Sequence, residues 1–217
     1  LKREIIITSD GSTTIHLPEW NEQYHSKHGA IQEAYHVFIK NGLEQIDLEE
    51  LSILEIGFGT GLNCFITFLE SSKIINYVGV EAYPVGKEEI AKLNYVSELK
   101  AESQEHIFNL IHTIPWEEQQ KISNSFLLTK REQFFEKIED ENTFHLIYFD
   151  AFGARVQPEL WTEAIFKKMF LALKKDGILV TYAAKGSVRR AMEAVGFSVE
   201  RLPGPPGKRE MLRAIKY

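Results

Sequence analysis

Two hydrophobic patterns alternate along the chain. Short apolar runs recur at "LSILEIG", "INYVGVEAY", "SFLLT", "TFHLIYFDAFG" and "ILVTYAA". Between them lie stretches such as "GLNCFITFLESS", "PVGKEEIAKL", "REQFFEKI" and "PELWTEAIFKKMFLALKKDG", where apolar residues return every three or four positions. A near-continuous apolar run flanked by helices reads as a strand covered on both faces. Strands separated by such helices predict a parallel sheet with helices on both sides. The segment from Tyr95 to Gln120 reads as helical, and the pattern from Pro158 as one long helix ending at Asp176-Gly177. After a last helix at "GSVRRAMEAVG", only the turn "PGPPGK" separates "FSVERL" from "REMLRAIKY", which predicts an antiparallel hairpin at the sheet edge. Ahead of the sheet, "EIIIT" and "TTIHL" flank Asp10-Gly11 as a second hairpin. Helical spacing then runs from Ala30 through Ala34, Val37 and Phe38 to a stop at Asn41-Gly42. The expectation is an α/β domain over 46–217, with a mostly parallel seven-stranded sheet, carrying a packed hairpin-and-helix extension over 1–45.

A length of 217 residues suits this plan. Cys64 is the only cysteine, so no disulfide can form within the chain, and a reducing, cytoplasmic setting is expected. No apolar run approaches the length of a membrane span, so no membrane partner is expected. His16, His25, His28 and His36 have no cysteine or acid at ligand spacing, so no metal is expected. Net charge is −6, yet from Lys185 onward eight basic residues face three acids, giving that segment +5 and leaving −11 for the rest. Such a basic end suits an anion-binding face, and equally a solvated rim.

The candidate chemistry lies after the first apolar run of the sheet. "LEIGFGTGLN" places Gly57, Gly59 and Gly61 between a strand and a helix, where backbone can approach a ligand closely. In open α/β sheets, ligands bind beyond the carboxyl ends of the strands, where strand order reverses. No Gly-Lys-Ser/Thr follows, which excludes a nucleoside-triphosphate loop. Residue 62 is Leu where a dinucleotide fingerprint needs glycine. S-adenosylmethionine fits better: its methionine end would lie on Glu55, Gly57, Phe58, Gly59, Thr60, Gly61 and Asn63. Glu81, ending the next strand, would take the ribose hydroxyls. Asp150 ends a third strand at the same crevice. This reading gives the fold class of a class I, Rossmann-like methyltransferase.

Several stretches add a family resemblance. "EQYHSKHGAIQEAYHVF", "GFGTGLN", "VEAYP", "FDAFGARVQPELWTEAIFKKM" and "GSVRRAMEAVGFSVERLPGPPGKREML" together resemble the methyltransferase part of the MnmC-type tRNA-modifying proteins, over nearly the whole chain. The resemblance implies methylation of 5-aminomethyl-2-thiouridine at the tRNA wobble position, with S-adenosylmethionine as donor. Ending at Tyr217, the chain looks like the stand-alone, MnmD-like form, for which no FAD is expected. Two departures stand out. Asp150-Ala151-Phe152-Gly153-Ala154 replaces a run closer to Asp-Gly-Phe-Ala-Pro, and Lys130 stands where an acid near the adenine edge is expected.

Within that reading, Asp150 orients the acceptor amine and takes its proton, or else contacts the donor's amino group. Tyr24 shapes the acceptor pocket or packs under the glycine loop. Phe152 and Trp161 stack on a flipped base or belong to the core. Lys185, Arg189, Arg190, Lys208 and Arg209 are candidates for phosphates of the anticodon stem-loop, unless Arg209 only pairs with Glu210. A small-molecule amine methyltransferase or aminopropyltransferase shares the sheet and the loop, and so does a non-catalytic S-adenosylmethionine-binding module.

Overall fold

The computed structural model describes residues 2–217. The chain opens with a small antiparallel sheet of β1 (Glu4–Ile7), β2 (Thr13–Leu17) and β3 (Glu22–Gln23), with Ile5 opposite Ile15. Helix α1 (Ala30–Ala34) follows and widens into a π-helical turn over Tyr35–Lys40, which buries Val37, Phe38 and Ile39.

The main sheet then forms. In chain order its elements are β4 (Glu50–Ile56), α2 (Leu62–Glu70), β5 (Ile74–Glu81), α3 (Lys87–Ile90), α4 (Tyr95–Glu98) and α5 (Glu105–Thr113). They continue through β6 (Gln119–Ser123), β7 (Phe126–Glu132), β8 (Phe144–Phe149), α6 (Glu163–Ala172), β9 (Leu173–Thr181), α7 (Gly186–Ala194), β10 (Ser198–Pro203) and β11 (Glu210–Ile215). Strand order is β10-β11-β9-β8-β4-β5-β7-β6. The five strands from β9 to β7 run parallel, and the others pair antiparallel at the two edges.

Burial explains the apolar runs. Ile53, Leu54 and Ile56 of β4 are fully buried, because helices cover both faces. On one face Phe65 and Ile66 of α2 pack with Phe108 and Ile111 of α5 and with Val37 and Phe38. On the other, Phe166 and Met169 of α6 pack with Val188 and Met192 of α7.

Three local expectations are corrected. An eighth strand, β6, joins the sheet where the segment read as helical ends, starting at Gln119; it is a polar edge strand whose only buried residue is Ile122. "REQFFEKI" yields a single 3-10 turn, Phe135–Lys137, instead of a helix. The long helix expected from Pro158 is a 3-10 turn over Pro158–Trp161 followed, after extended Thr162, by α6, which stops at Ala172. Leu173 already pairs with Phe144, and the chain bulges at Lys174–Gly177 before Ile178 meets Leu146, with Asp176 at φ 62°. The Asp176 N–H donates to Lys216 O at 2.6 Å, so the bulge is held by the last strand's exit.

The N-terminal sheet is tied across the carboxyl ends of the main strands. Thr13 N–H donates to Asn94 Oδ1 at 2.7 Å, and Asn94 Nδ2 donates to Gly11 O at 2.9 Å. Arg3 donates to Tyr83 O and Pro84 O at 2.9 and 3.2 Å, just beyond β5. Strand β4 has β5 on one side and β8 on the other, so order reverses there and the ends of β4, β5 and β8 open into one crevice.

Candidate active site

The loop after β4 turns back on itself in five residues. Gly57, Gly59 and Gly61 all take positive φ, at 87°, 49° and 71°. At Gly57 the requirement is steric as well, because a Cβ there would sit 2.6 Å from Asp150 O. The N–H groups of Gly57 and Phe58 both donate to Val80 O at 3.0 Å, and Asp150 N–H donates to Ile56 O at 2.9 Å. The three strand ends are thereby laced together by backbone.

Glu81 is fixed from both sides. Its Oε2 accepts from Gly59 N–H and its Oε1 from Tyr83 N–H, each at 3.0 Å. A carboxylate has about four lone-pair sites, so acceptor capacity remains toward the cleft that Glu81 lines. That cleft has a volume of about 650 Å³. Gly57, Gly59 and Asp150 join Glu81 on its floor, and Tyr24 and Phe152 stand on one wall. Their rings meet edge-to-face at 4.9 Å, and Trp20 meets Phe152 at 5.7 Å. Burial pushes the Tyr24 hydroxyl up to about 12, so it stays protonated. Arg155 holds this wall in place, donating to Trp20 O, Asn21 O and Glu22 Oε2 at 3.0–3.1 Å.

Asp150 is the chemically distinctive group. Its Oδ2 accepts from Asn63 Nδ2 at 2.9 Å, while the same amide nitrogen donates to Glu55 Oε1 at 2.9 Å. Burial first, and the nearby Glu33 carboxylate second, push Asp150 up to about 7. The Asn63 bond and the Lys208 ammonium oppose that rise. A carboxyl poised there can accept a proton near neutral pH.

The structure separates the sequence candidates into two layers. Gly57, Gly59, Glu81, Asp150, Tyr24 and Phe152 line the cleft. Glu55, Phe58, Thr60, Gly61 and Asn63 hold the loop from behind instead. Glu55 is fully buried, also accepts from Tyr77 OH at 2.8 Å, and is pushed well above the usual carboxyl range by burial. Phe58 fills the space left by the absent side chain of Gly79, and Thr60 accepts from Tyr95 OH at 3.1 Å. Trp161 is core, its indole N–H donating to Phe152 O at 2.7 Å.

The basic candidates also divide. Lys185, Arg190 and Arg209 are exposed, while Arg189 pairs with Glu193 at 3.2 Å. Glu210 pairs with Arg201 at 4.0 Å rather than with Arg209. Lys208, its side chain 31% exposed, is turned onto Glu33 and over the Tyr182 ring. Lys130 is buried, donating to His112 O at 3.0 Å beside Trp116, and burial pulls it down to about 8. The cleft wall on that side comes instead from Tyr83, Phe134 and Glu136, which follow β5 and β7. The adjacent aromatics of "QFFE" just past a strand end were the available signal, within the stretch "REQFFEKI" expected as a helix.

The donor set suits S-adenosylmethionine: a turn whose Gly57 and Gly59 bring bare backbone to the cleft, and a backbone-anchored carboxylate one strand away. Among the described residues, no group of three or more His, Cys, Asp and Glu side chains gathers to hold a metal, and no helix is long and apolar enough to cross a membrane. Two outcomes are expected. Glu81→Ala removes a charge-assisted acceptor worth about 1.5–3 kcal/mol, so calorimetry should find S-adenosylmethionine affinity reduced tenfold or more; unchanged affinity would contradict the assignment. Asp150 binds its proton more tightly folded (about 7) than unfolded (3.8). Its neutral form therefore favours folding at low pH, and that contribution is lost as pH rises toward 7. Asp150→Asn should then raise the melting temperature by clearly more at pH 8 than at pH 5, because the contribution is lost progressively between pH 3.8 and about 7. A gain of equal size at both values would show that the carboxyl is not shifted.

Comparison with known proteins gives the family of the chain. The MnmC bifunctional protein of tRNA 5-methylaminomethyl-2-thiouridine biosynthesis from Cupriavidus metallidurans is 28% identical over 227 residues, covering 96% of this chain and 33% of that protein. The chain thus spans about a third of the length of the curated relatives it matches. In fold, it resembles the crystal structure of MnmC2 from Aquifex aeolicus, with a TM-score of 0.77 and 23% identity over 98% of this chain and 69% of the other. A spermidine synthase bound to a transition-state analogue superposes with a TM-score of 0.62 and 16% identity, over 99% and 70% of the two chains. A family model described as S-adenosyl-L-methionine-dependent methyltransferase matches residues 97–217, more than half of the sequence. The chain belongs to the S-adenosyl-L-methionine-dependent methyltransferase family.

Proposed function

We propose that the chain methylates the side-chain nitrogen of 5-aminomethyl-2-thiouridine at the wobble position of tRNA, giving 5-methylaminomethyl-2-thiouridine. The observation that carries this reading is Asp150: a carboxyl poised near neutrality, facing a cleft with an aromatic wall on one side and Glu81 on the other. The name of the curated relatives supplies the nucleoside. S-adenosylmethionine, when bound, supplies an activated methyl group on a sulfonium. Glu81 holds its ribose, and the glycine turn receives its methionine end. Asp150 directs the acceptor nitrogen and takes its proton, because an ammonium has no lone pair to react. Tyr24, Phe152 and Trp20 flank the base. Holding both partners in line is worth roughly 7–11 kcal/mol, and this positioning is the main contribution of the protein. Lys185, Arg190 and Arg209 are the exposed cations left to meet phosphates of the anticodon stem-loop.

A second reading has one observation in its favour. The cleft lining carries Glu81, Glu136, Asp150 and Glu159 against Arg3, an acidic balance that also suits a small polyamine. A competition experiment separates the two. The purified chain is incubated with labelled donor, spermidine, and tRNA from cells lacking this methylation. Label should enter tRNA, with a rate that climbs as pH passes about 7, and Asp150→Asn should lower that rate about a hundredfold with donor affinity unchanged. Label found in the polyamine alone would overturn the tRNA reading. A drop in donor affinity equal to the drop in rate would make Asp150 a binding group only.

A further inference from the structure

The motif "GKREML" remains without a role once Lys208 is found paired with Glu33. Its surroundings supply one. Lys208 follows Gly207, which has φ 82° and lies so close to the His28 ring that no side chain fits between them. His36 Nε2–H donates to Pro203 O at 2.8 Å from the other side of the turn. The hairpin turn is thus seated on the N-terminal extension, and this seat aims Lys208 inward. Its ammonium bonds Glu33 Oε2 and lies 3.9 Å above the Tyr182 ring. Glu33, on α1, is only 5% exposed, and its Oε1 accepts from Ser26 N–H at 3.0 Å. Tyr182 in turn donates its hydroxyl to Ala151 O at 2.7 Å, the residue next to Asp150. Three separate parts of the chain, the extension, the end of β9 and the C-terminal turn, therefore meet behind one side of Asp150.

We propose that Glu33 and Lys208 are a pair of positioning residues that set the charge of Asp150 through opposing fields, and that Lys208 also fixes the Asp150 loop through Tyr182. The proposal rests on the reading of Asp150 as the group that takes the acceptor's proton. Asp150 faces charged and titratable groups from several elements. Glu33 comes from α1, Lys208 from the β10–β11 turn and Tyr182 from just past β9. Glu55 of β4 lies across the Asn63 amide, and Tyr95 of α4 lies beyond Thr60. Glu81 of β5 is a further carboxylate of this cluster, acting with Asp150 on Glu55. Of these, Lys208 is the cation that acts on Asp150, and Glu33 is the acid bonded to it. An opposite charge nearby favours ionisation of a carboxyl and a like charge disfavours it. Glu33 and Lys208 act on Asp150 in opposite directions, Glu33 the more strongly, so removing either one exposes the other.

The test reads Asp150 directly. Carboxyl carbon NMR of the full chain, labelled at aspartate and assigned by the loss of one signal in Asp150→Asn, follows its titration without turnover. The wild-type midpoint should lie at about 7. Glu33→Gln should move it about one pH unit lower, and Lys208→Gln about one pH unit higher. Lys208→Arg should stay close to wild type, and the double variant Glu33→Gln with Lys208→Gln should fall between the two single variants. A pair with a merely structural role would lower the melting temperature without these opposite displacements. An unmoved midpoint in Glu33→Gln, or displacement of both single variants in one direction, would overturn the proposal; Glu33→Gln alone decides if Lys208→Gln does not fold. A wrong acceptor assignment leaves this titration untouched. The acid limb of the methyl-transfer rate, measured on the same variants, should follow the NMR midpoint if Asp150 takes the acceptor's proton and stay in place if it does not.

Discussion

One amide nitrogen holds the site together. Asn63, at the start of α2, donates one hydrogen to Glu55 on β4 and the other to Asp150 beyond β8. Both carboxyls lie against low-dielectric protein, where an unpaired charge is costly. Sharing an uncharged double donor lets them sit close together without a cation between them. The geometry works only if α2 begins directly above the gap between β4 and β8. That placement needs the tight glycine turn, and the turn needs Gly57 to pass Asp150 O with no side chain. Sequence, backbone and electrostatics converge on this point.

Around it the protein is built in two layers. The inner layer comprises Glu55, Asn63, Thr60 and Phe58, which touch no part of the cleft and decide where its floor lies. The outer layer comprises Glu81, Asp150, Tyr24 and Phe152, which are exposed to whatever binds. The extension belongs to both layers. Its Arg3 and Arg155's acceptors close the rim, and its Glu33 reaches behind Asp150. Removing the extension would therefore alter the chemistry of the site as well as its shape.

Much of this was legible in the sequence, for a physical reason. Parallel strands buried on both faces have to be apolar throughout, so the core strands and the helices between them stood out. The glycine turn and the acids at the strand ends stood out because polar residues closing an apolar run need a purpose. What escaped were features set by tertiary contact. β6 is polar, and only its pairing with β7 makes it a strand. The end of α6 is fixed by Leu173 joining the sheet, although its helical pattern continues into the bulge. Lys208 and Lys130 look like surface residues in sequence, yet each has its charge folded inward onto a partner that lies far away along the chain. The tier behind the cleft was misplaced for the same reason: spacing puts Glu55 and Asn63 next to the glycine turn and says nothing about the direction in which they point.

The most direct test of the account is the identity of the methylated nucleoside. After reaction of the purified chain with S-adenosylmethionine and tRNA that carries the unmethylated 5-aminomethyl-2-thiouridine, the tRNA is digested and its nucleosides are analysed by mass spectrometry with fragmentation. The account predicts a single added methyl group on the side-chain nitrogen of the wobble uridine, and on no other nucleoside. A methyl group on a base ring or a ribose, or tRNA left unchanged by a chain that binds the donor, would contradict it.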